Sequence, residues 1–333
     1  MQIDHTIQRM AHMPERSRLC VQIWVVLLAC IFSAQTQHCQ ADDSKKILLL
    51  LSGGSSVYQK VADSTIKRIN KSCANLFVTC PSIEFEKINV ADEKAVIPEE
   101  SFITITYGTR AASSINPKSM HDHLILSMLP RQSTVAQKST KVLQGAIKIY
   151  LDQPYKRYFE LIKTTMPRAS RVGLLLHASD SDESQSLSNA ASKFGFLLKI
   201  ELVENTQDIG EALSRMLDNI DVFLAIPDSR IHNNKTISNI LTTAYRNNIP
   251  VIGFSSAYVK AGAAEAIYTS LDDIAHQASD AALQLLEHGS VSPKVQQAKY
   301  FSVSFNFEVA RSLGLTIRSP SAVKSIIMRE QGE

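Results

Sequence analysis

Four short polar clusters hold the side chains best placed to bind or transform a small molecule, and each follows an apolar run of strand length. Ser52-Gly53-Gly54-Ser55-Ser56 follows Ile47–Leu51, and Gly108-Thr109-Arg110 follows Phe102–Thr106. Asp228 follows Asp221–Ile226, and Ser255 with Ser256 follows Val251–Phe254. The glycine-and-serine run lets backbone approach closely, and the helix start behind it offers free N–H groups to an anion. It lacks the lysine of a phosphate-binding loop and the spacing of a dinucleotide fingerprint, so a tight turn closed by a serine cap explains it equally well. Thr109 either caps the next helix or donates to a carboxylate. Arg110 is either the fork that matches a carboxylate or a solvated cation. Asp228 suits a ligand ammonium, although aspartate is also a routine turn former. Tyr58, Tyr107 and Tyr258 lie near these loops and could stack on an apolar or aromatic ligand. His177 and Asp180, after Val172–Leu176, belong to the same side.

Catalytic patterns are missing. No G-x-S-x-G elbow occurs, and the paired acids Asp42-Asp43, Glu99-Glu100 and Asp272-Asp273 sit where solvated loop or cap charges are ordinary. The nine histidines are scattered, with no H-x-x-x-H or C-x-x-C spacing, so no metal and no other cofactor is expected. The Asp180–Glu183 loop is acidic, but it leads into a helix whose dipole favours such charge.

The elements that must position these clusters alternate. Strand-length apolar runs recur at Ile47–Leu51, Phe102–Thr106, His123–Met128, Val172–Leu176, Leu197–Val203, Val222–Ile226 and Val251–Phe254. Several are continuous in apolar residues, as strands buried on both faces must be. Between them Ile237, Ile240, Leu241, Ala244 and Tyr245 repeat at helical spacing, as do Ile274, Ala278, Ala281, Ala282 and Leu285. Ser270 and Asp273 have capping-box spacing before the second series. Strand and helix in alternation predict an α/β fold with parallel, doubly wound sheets, and ten or so strands fit two sheets better than one. In such sheets ligands sit beyond the carboxyl ends of the strands, where the four polar clusters fall.

Longer motifs resemble one family. Asp228, Ala244–Gly253 with its R-x-x-I-P-V-I-G core, Tyr258–Ala263 and Asp272–Ala281 are similar to the substrate-binding proteins of ABC transporters. The likeness is to the branch that includes aromatic-amino-acid binders, of tryptophan and tyrosine type. Thr106–Ala112, Leu151–Leu176 and Phe301–Leu315 extend it over most of residues 103 to 315. The resemblance implies a type I periplasmic-binding-protein fold of two lobes with a ligand cleft between them. It also implies a solute carrier, not an enzyme, that closes on an amino acid or similar small solute. Its partners would be a permease and its ATPase, and the carrier itself a monomer without affinity for nucleic acid. The family layout puts residues 42–150 and about 270–291 in the first lobe, and 151–269 with about 292–333 in the second. The chain departs from that branch at LPRQSTVAQKSTKVLQG, where the branch carries a glycine- and asparagine-rich loop, so aromatic specificity does not transfer. A sensor that presents its closed form to a receptor or kinase, and a hydrolase or transferase on a similar fold, are the alternatives.

Residues 1–41 read as a secretory signal: Arg9, Arg16 and Arg18 precede an apolar run from Leu19 to Ala34, with cleavage expected after Ala41. The alternative is the lipobox-like Leu27-Leu28-Ala29-Cys30, which would leave a lipoprotein tethered through Cys30. Cleavage would leave a periplasmic protein, the alternative a membrane-tethered one. Removal of the leader takes the formal charge from +3 to +2, because three Arg leave with Asp4 and Glu15. That balance gives no basic stripe for nucleic acid. Cys73 and Cys80 remain; in an oxidising compartment they either close a small disulfide loop or sit as buried thiols.

Overall fold

The computed structural model describes residues 44–76, 81–116, 118–131, 143, 145–316 and 318–331, and the described elements fall in the unit Lys45–Glu333. The expected signal segment, Cys30 and Cys80 lie outside the described residues.

Chain alternation produces two six-stranded sheets. The first takes β1 (Lys45–Leu51), β2 (Ile83–Asn89), β3 (Glu100–Tyr107), β4 (Met120–Leu129), β5 (Ile147–Tyr150) and, late in the chain, β11 (Val295–Gln296). Its order is β11-β5-β4-β3-β1-β2, and every pair is parallel. The second takes β6 (Arg171–His177), β7 (Leu197–Val203), β8 (Val222–Leu224), β9 (Val251–Gly253), β10 (Glu265–Tyr268) and β12 (Ser302–Phe305), in the order β12-β10-β9-β8-β6-β7. There only β12 runs antiparallel, on β10 at the edge. The fold is thus α/β with two doubly wound lobes, as expected.

The apolar runs explain the layering. In β1 all residues from Ile47 to Leu51 are buried. Ile47, Leu49 and Leu51 join one core with helices α1 (Ser56–Leu76) and α8 (Leu271–His288), while Leu48 and Leu50 join the opposite core with Ala111 and Ala112 of α2 (Thr109–Ser113). Each face of a parallel strand needs its own helix layer. In the second lobe Val172, Leu174 and Leu176 of β6 pack with α3 (Tyr155–Thr165), and with α4 (Glu183–Ser192) and α10 (Pro320–Glu330). Leu175 faces the other way, into the core of α5 (Ile209–Leu217), α6 (Ile237–Arg246) and α7 (Ser256–Ala261). The remaining described helix, α9 (Phe307–Ser312), follows β12.

The chain passes between sheets three times. The first passage joins Tyr150 to Tyr155. The second joins Tyr268 to Leu271, sending α8 into the first lobe's core beside α1. The third falls between Gln296 and Ser302, later than the point near Ser292, because β11 still pairs with β5. The expected capping box forms: Ser270 Oγ accepts from Asp273 N–H while the Asp273 carboxylate accepts from Ser270 N–H. Cys73 is disulfide-bonded. No described helix is long and apolar enough to cross a membrane.

Candidate ligand-binding cleft

Both sheets reverse their winding between two neighbouring strands, β1 and β3 in the first and β6 and β8 in the second. The loops leaving those strands flank the switch points where α/β proteins bind ligands. In each lobe the two loops are tied together.

In the first lobe the tie is Ser52. Its Oγ accepts from the backbone N–H of Ala111, 2.9 Å away, and so joins the loop after β1 to the start of α2. Gly108 makes the approach feasible: its φ is +91°, and a Cβ there would meet Ser52 Oγ at 2.7 Å. Thr109 and Arg110 stand exposed at the helix start, and α2 has no side-chain cap. Ser55 and Ser56 are exposed as well. Tyr107 is buried in the core with its hydroxyl on Thr65, 2.7 Å away, so it is spent on packing and cannot stack on a ligand.

In the second lobe the tie is Arg230, which the sequence reading passed over. Its Nε donates to Asp228 Oδ1 at 2.9 Å and its Nη2 to Oδ2 at 2.7 Å, while its backbone N–H reaches Oδ1 at 2.9 Å. The same guanidinium bonds Asp180, and it donates to Ser179 Oγ at 2.7 Å, in the loop after β6. Its hydrogen bonds to these carboxylates, Asp228 first, raise the Arg230 pKa further above its ordinary range. Asp228 is therefore part of a closed ionic cluster, and its side chain is only 4% exposed.

Behind the cluster lies His232, buried and also missed. Its Nδ1 shares a 2.9 Å hydrogen bond with the Tyr258 hydroxyl, and its Nε2 has no partner among the described residues. Burial pushes the imidazole down to about 4, against a smaller opposing pull from Asp228, so the ring is neutral at pH 7. Phe254 packs at 5.6 Å from His232 and 5.1 Å from Tyr258, measured between ring centroids. Ser255 Oγ accepts from Tyr258 N–H at 3.1 Å and caps α7, while Ser256 opens that helix.

Two cavities share Phe254 and Pro227. One, of about 850 Å³, contains the Asp228–Arg230 cluster with Asp182, Glu183 and Pro130. The other, of about 440 Å³, is lined from the second lobe by Ser255 and Ser256 and from the passages by Leu151, Gln153, Thr269 and Leu271. The expected second-lobe residues are thus brought together, whereas Ser52, Ser55, Ser56, Gly108, Thr109 and Arg110 line neither cavity. Arg131, in the stretch that departs from the family pattern, lies where the lobes join. Its backbone N–H donates to Asp152 at 2.6 Å and its guanidinium covers the Tyr155 ring. Among the described residues no cluster of three or more His, Cys, Asp or Glu could hold a metal.

The family model for ABC transporter substrate binding proteins matches residues 152–325. The chain belongs to that family. A curated relative of this substrate-binding protein, the tyrosine-binding protein of Clostridioides difficile (strain R20291), is 25% identical over 135 residues. That match spans 40% of this chain and only 39% of the relative. Among solved structures, the ligand-free, open form of a Clostridium difficile substrate-binding protein with adhesive properties superposes with a TM-score of 0.62. It is 19% identical, over 83% of this chain and 96% of the other. An ABC domain from Streptococcus pneumonia in complex with L-Trp gives a TM-score of 0.51 at 16% identity, over 83% and 97% of the two chains. At such identities the solved structures establish the fold of this substrate-binding protein and no more. The fold is that of type I periplasmic binding proteins.

Proposed function

We propose that this substrate-binding protein serves an ABC importer outside the cytoplasm, capturing an amino acid or similar small organic solute between its lobes and delivering it to a membrane permease. The observation that carries the reading is the cavity at the carboxyl ends of the second sheet. Its walls come from the second lobe, through Phe254 and Ser256, and from the passages leading to the first, through Leu151 and Leu271. A ligand touching walls on both sides of a hinge favours closure by its differential affinity for the closed state. We read the protein as a carrier and not an enzyme: Ser179 Oγ lies 2.9 Å from His177 Nδ1 in the loop after β6, but the same hydroxyl accepts from Arg230 Nη1 at 2.7 Å and so belongs to the ion cluster. The curated tyrosine-binding relative supports an amino-acid-like solute. Removal of residues 1–41 would release the carrier to the periplasm, where it would work as a monomer with the permease and its ATPase.

Two measurements test this. Ligand that binds only the folded state stabilises it by about 2.7 kcal/mol at a hundredfold excess over Kd. Thermal unfolding of residues 42–333 against solute libraries should single out one chemical class, and small-angle scattering should show the same solute contracting the protein. A solute that is chemically altered on incubation would sink the carrier reading. So would failure of the loaded protein to stimulate the ATPase of a permease encoded beside it.

A further inference from the structure

Among the described residues, the cavity that reaches from the second lobe to the passages is lined by no charged side chain. The cavity of about 440 Å³ is lined by Tyr158, Phe254 and Tyr268 together with Ser255, Ser256 and Thr269, and no Asp, Glu, Lys, Arg or His is among its described lining residues. That volume is in the range of small-molecule sites. Part of its polar lining is already spent. Thr269 Oγ1 donates to Leu151 O and accepts from Gln153 Nε2, each at 2.7 Å, and Ser255 Oγ caps α7. The hydroxyls of Tyr158, Ser256 and Tyr268 make no hydrogen bond among the described residues, which leaves them for a ligand. Each can donate and accept.

Of the charges next door, Asp228 and Asp180 are committed to Arg230. Asp228 Oδ1 accepts from the Arg230 backbone and from Nε, and Oδ2 accepts from Nη2. An incoming ammonium would have to displace a bidentate guanidinium, the stronger kind of partner for a carboxylate. A full charge placed in the other cavity would lose water without gaining a counter-ion, whereas an uncharged polar ring loses far less.

We infer that the solute is an uncharged, ring-bearing polar molecule held in the cavity between Phe254 and Tyr268, and that Asp228–Arg230 braces the wall without touching it. The inference rests on the solute-binding reading and, within it, favours an uncharged small solute over an amino acid. Aromatic walls take a flat ring face-on or edge-on, and the free hydroxyls take its polar substituents.

Calorimetry on residues 42–333 with ring-matched probes tests it. Tyrosol is neutral, L-tyrosine zwitterionic, tyramine cationic and 4-hydroxyphenylpropanoate anionic; uridine with uridine monophosphate, and myo-inositol with its monophosphate, add further neutral and charged pairs. In at least one set the neutral member should bind tenfold or more tightly than its charged counterparts. Tyr268→Phe and Ser256→Ala should each weaken that binding about tenfold with an unchanged melting temperature. Arg230→Met, which releases Asp228, should improve tyramine binding severalfold. If L-tyrosine or tyramine binds the unmodified protein best and Asp228→Asn abolishes it, the inference is overturned while solute binding stands. If no probe of any charge binds, both fall.

Discussion

Arg230 grips Asp228 through two guanidinium nitrogens, with Nε 2.9 Å from Oδ1 and Nη2 2.7 Å from Oδ2, and extends the same group to Asp180 on the neighbouring loop. The pair holds the loop after β8 against the loop after β6, where the second sheet reverses its winding. An aspartate that looks like a ligand anchor in the sequence is thereby committed to an internal cation.

Arg230→Met should cost the protein stability, because the Asp228 side chain is 4% exposed and would lose its counter-charge. Stripping one partner from a wholly buried pair costs about 3–5 kcal/mol. The Arg230 side chain is 39% exposed, so solvent screening brings the expected loss to about 1–3 kcal/mol. Urea unfolding gives the number. Asp228→Asn combined with Arg230→Met should recover part of the loss, since neither charge then remains; a double variant no better than Arg230→Met would show that the two residues are not coupled.

Arg157 makes the corresponding contact at the hinge. It is 2% exposed and donates to Gln153 Oε1 and Ala298 O at 2.7 Å, to Gln331 Oε1 at 3.0 Å and to Lys299 O at 3.1 Å. Gln153 in turn reaches Thr269, so one network touches all three inter-sheet passages. Arg157→Met keeps the stem over Phe301 but strands two carbonyls and two glutamines, at about 1–3 kcal/mol for each group left unsatisfied. Hydrogen exchange should then quicken at 297–302 and 151–154 before it quickens in β1 or β6. Unchanged exchange in those segments would mean that the network does not hold the hinge.

The fold was legible where burial dictated the pattern. Ile47–Leu51 and Val172–Leu176 are apolar without interruption because helices cover both faces of their strands. The edge strand β2, IEFEKIN, escaped because its alternating charges face water, and β10, EAIY, because four residues are too short to show a period. In the site, the positions of Asp228, Ser255 and Ser256 at strand ends were readable. Their engagement was not, since Arg230 meets Asp180 across 50 residues of chain. His232 gave no signal because a lone histidine near a loop looks solvated; only the packing of Phe254 and Tyr258 buries it.

Gly108 should tolerate no side chain. At φ +91° any L-residue is strained, and a Cβ would come within 2.7 Å of Ser52 Oγ, the atom that receives Ala111 N–H. Gly108→Ala should cost more than the roughly 1 kcal/mol upper end of what glycine replacement gains at a compatible site. Gly145, with open space around its Cβ position, is the control, and Gly145→Ala should be near neutral. Equal melting temperatures for the two variants would count against the Ser52 tie.

Two buried groups set opposing pH dependences. Glu265 is fully buried, with Thr165 Oγ1 at 2.6 Å on one oxygen and no partner among the described residues on the other, and desolvation pushes its carboxyl from 4.5 up to about 8. The unfolded chain releases this proton near 4.5 while the folded protein keeps it to about 8, so stability falls as pH rises through that window. His232 acts the other way: its folded value of about 4 lies below 6.5, so its contribution is complete above 6.5 and is lost as pH falls towards 4. Between about 4.5 and 6.5 the two slopes cancel, leaving a plateau with a decline on the alkaline side. One pKa unit corresponds to about 1.4 kcal/mol, so the decline should amount to a few kcal/mol. Glu265→Gln should flatten the profile between pH 6.5 and 8, and His232→Gln should turn the plateau into a continuous fall from pH 4.5. Chemical denaturation at half-unit pH steps reads all three profiles. An unmodified protein as stable at pH 8 as at pH 6 would show that Glu265 ionises without opposition in the folded state.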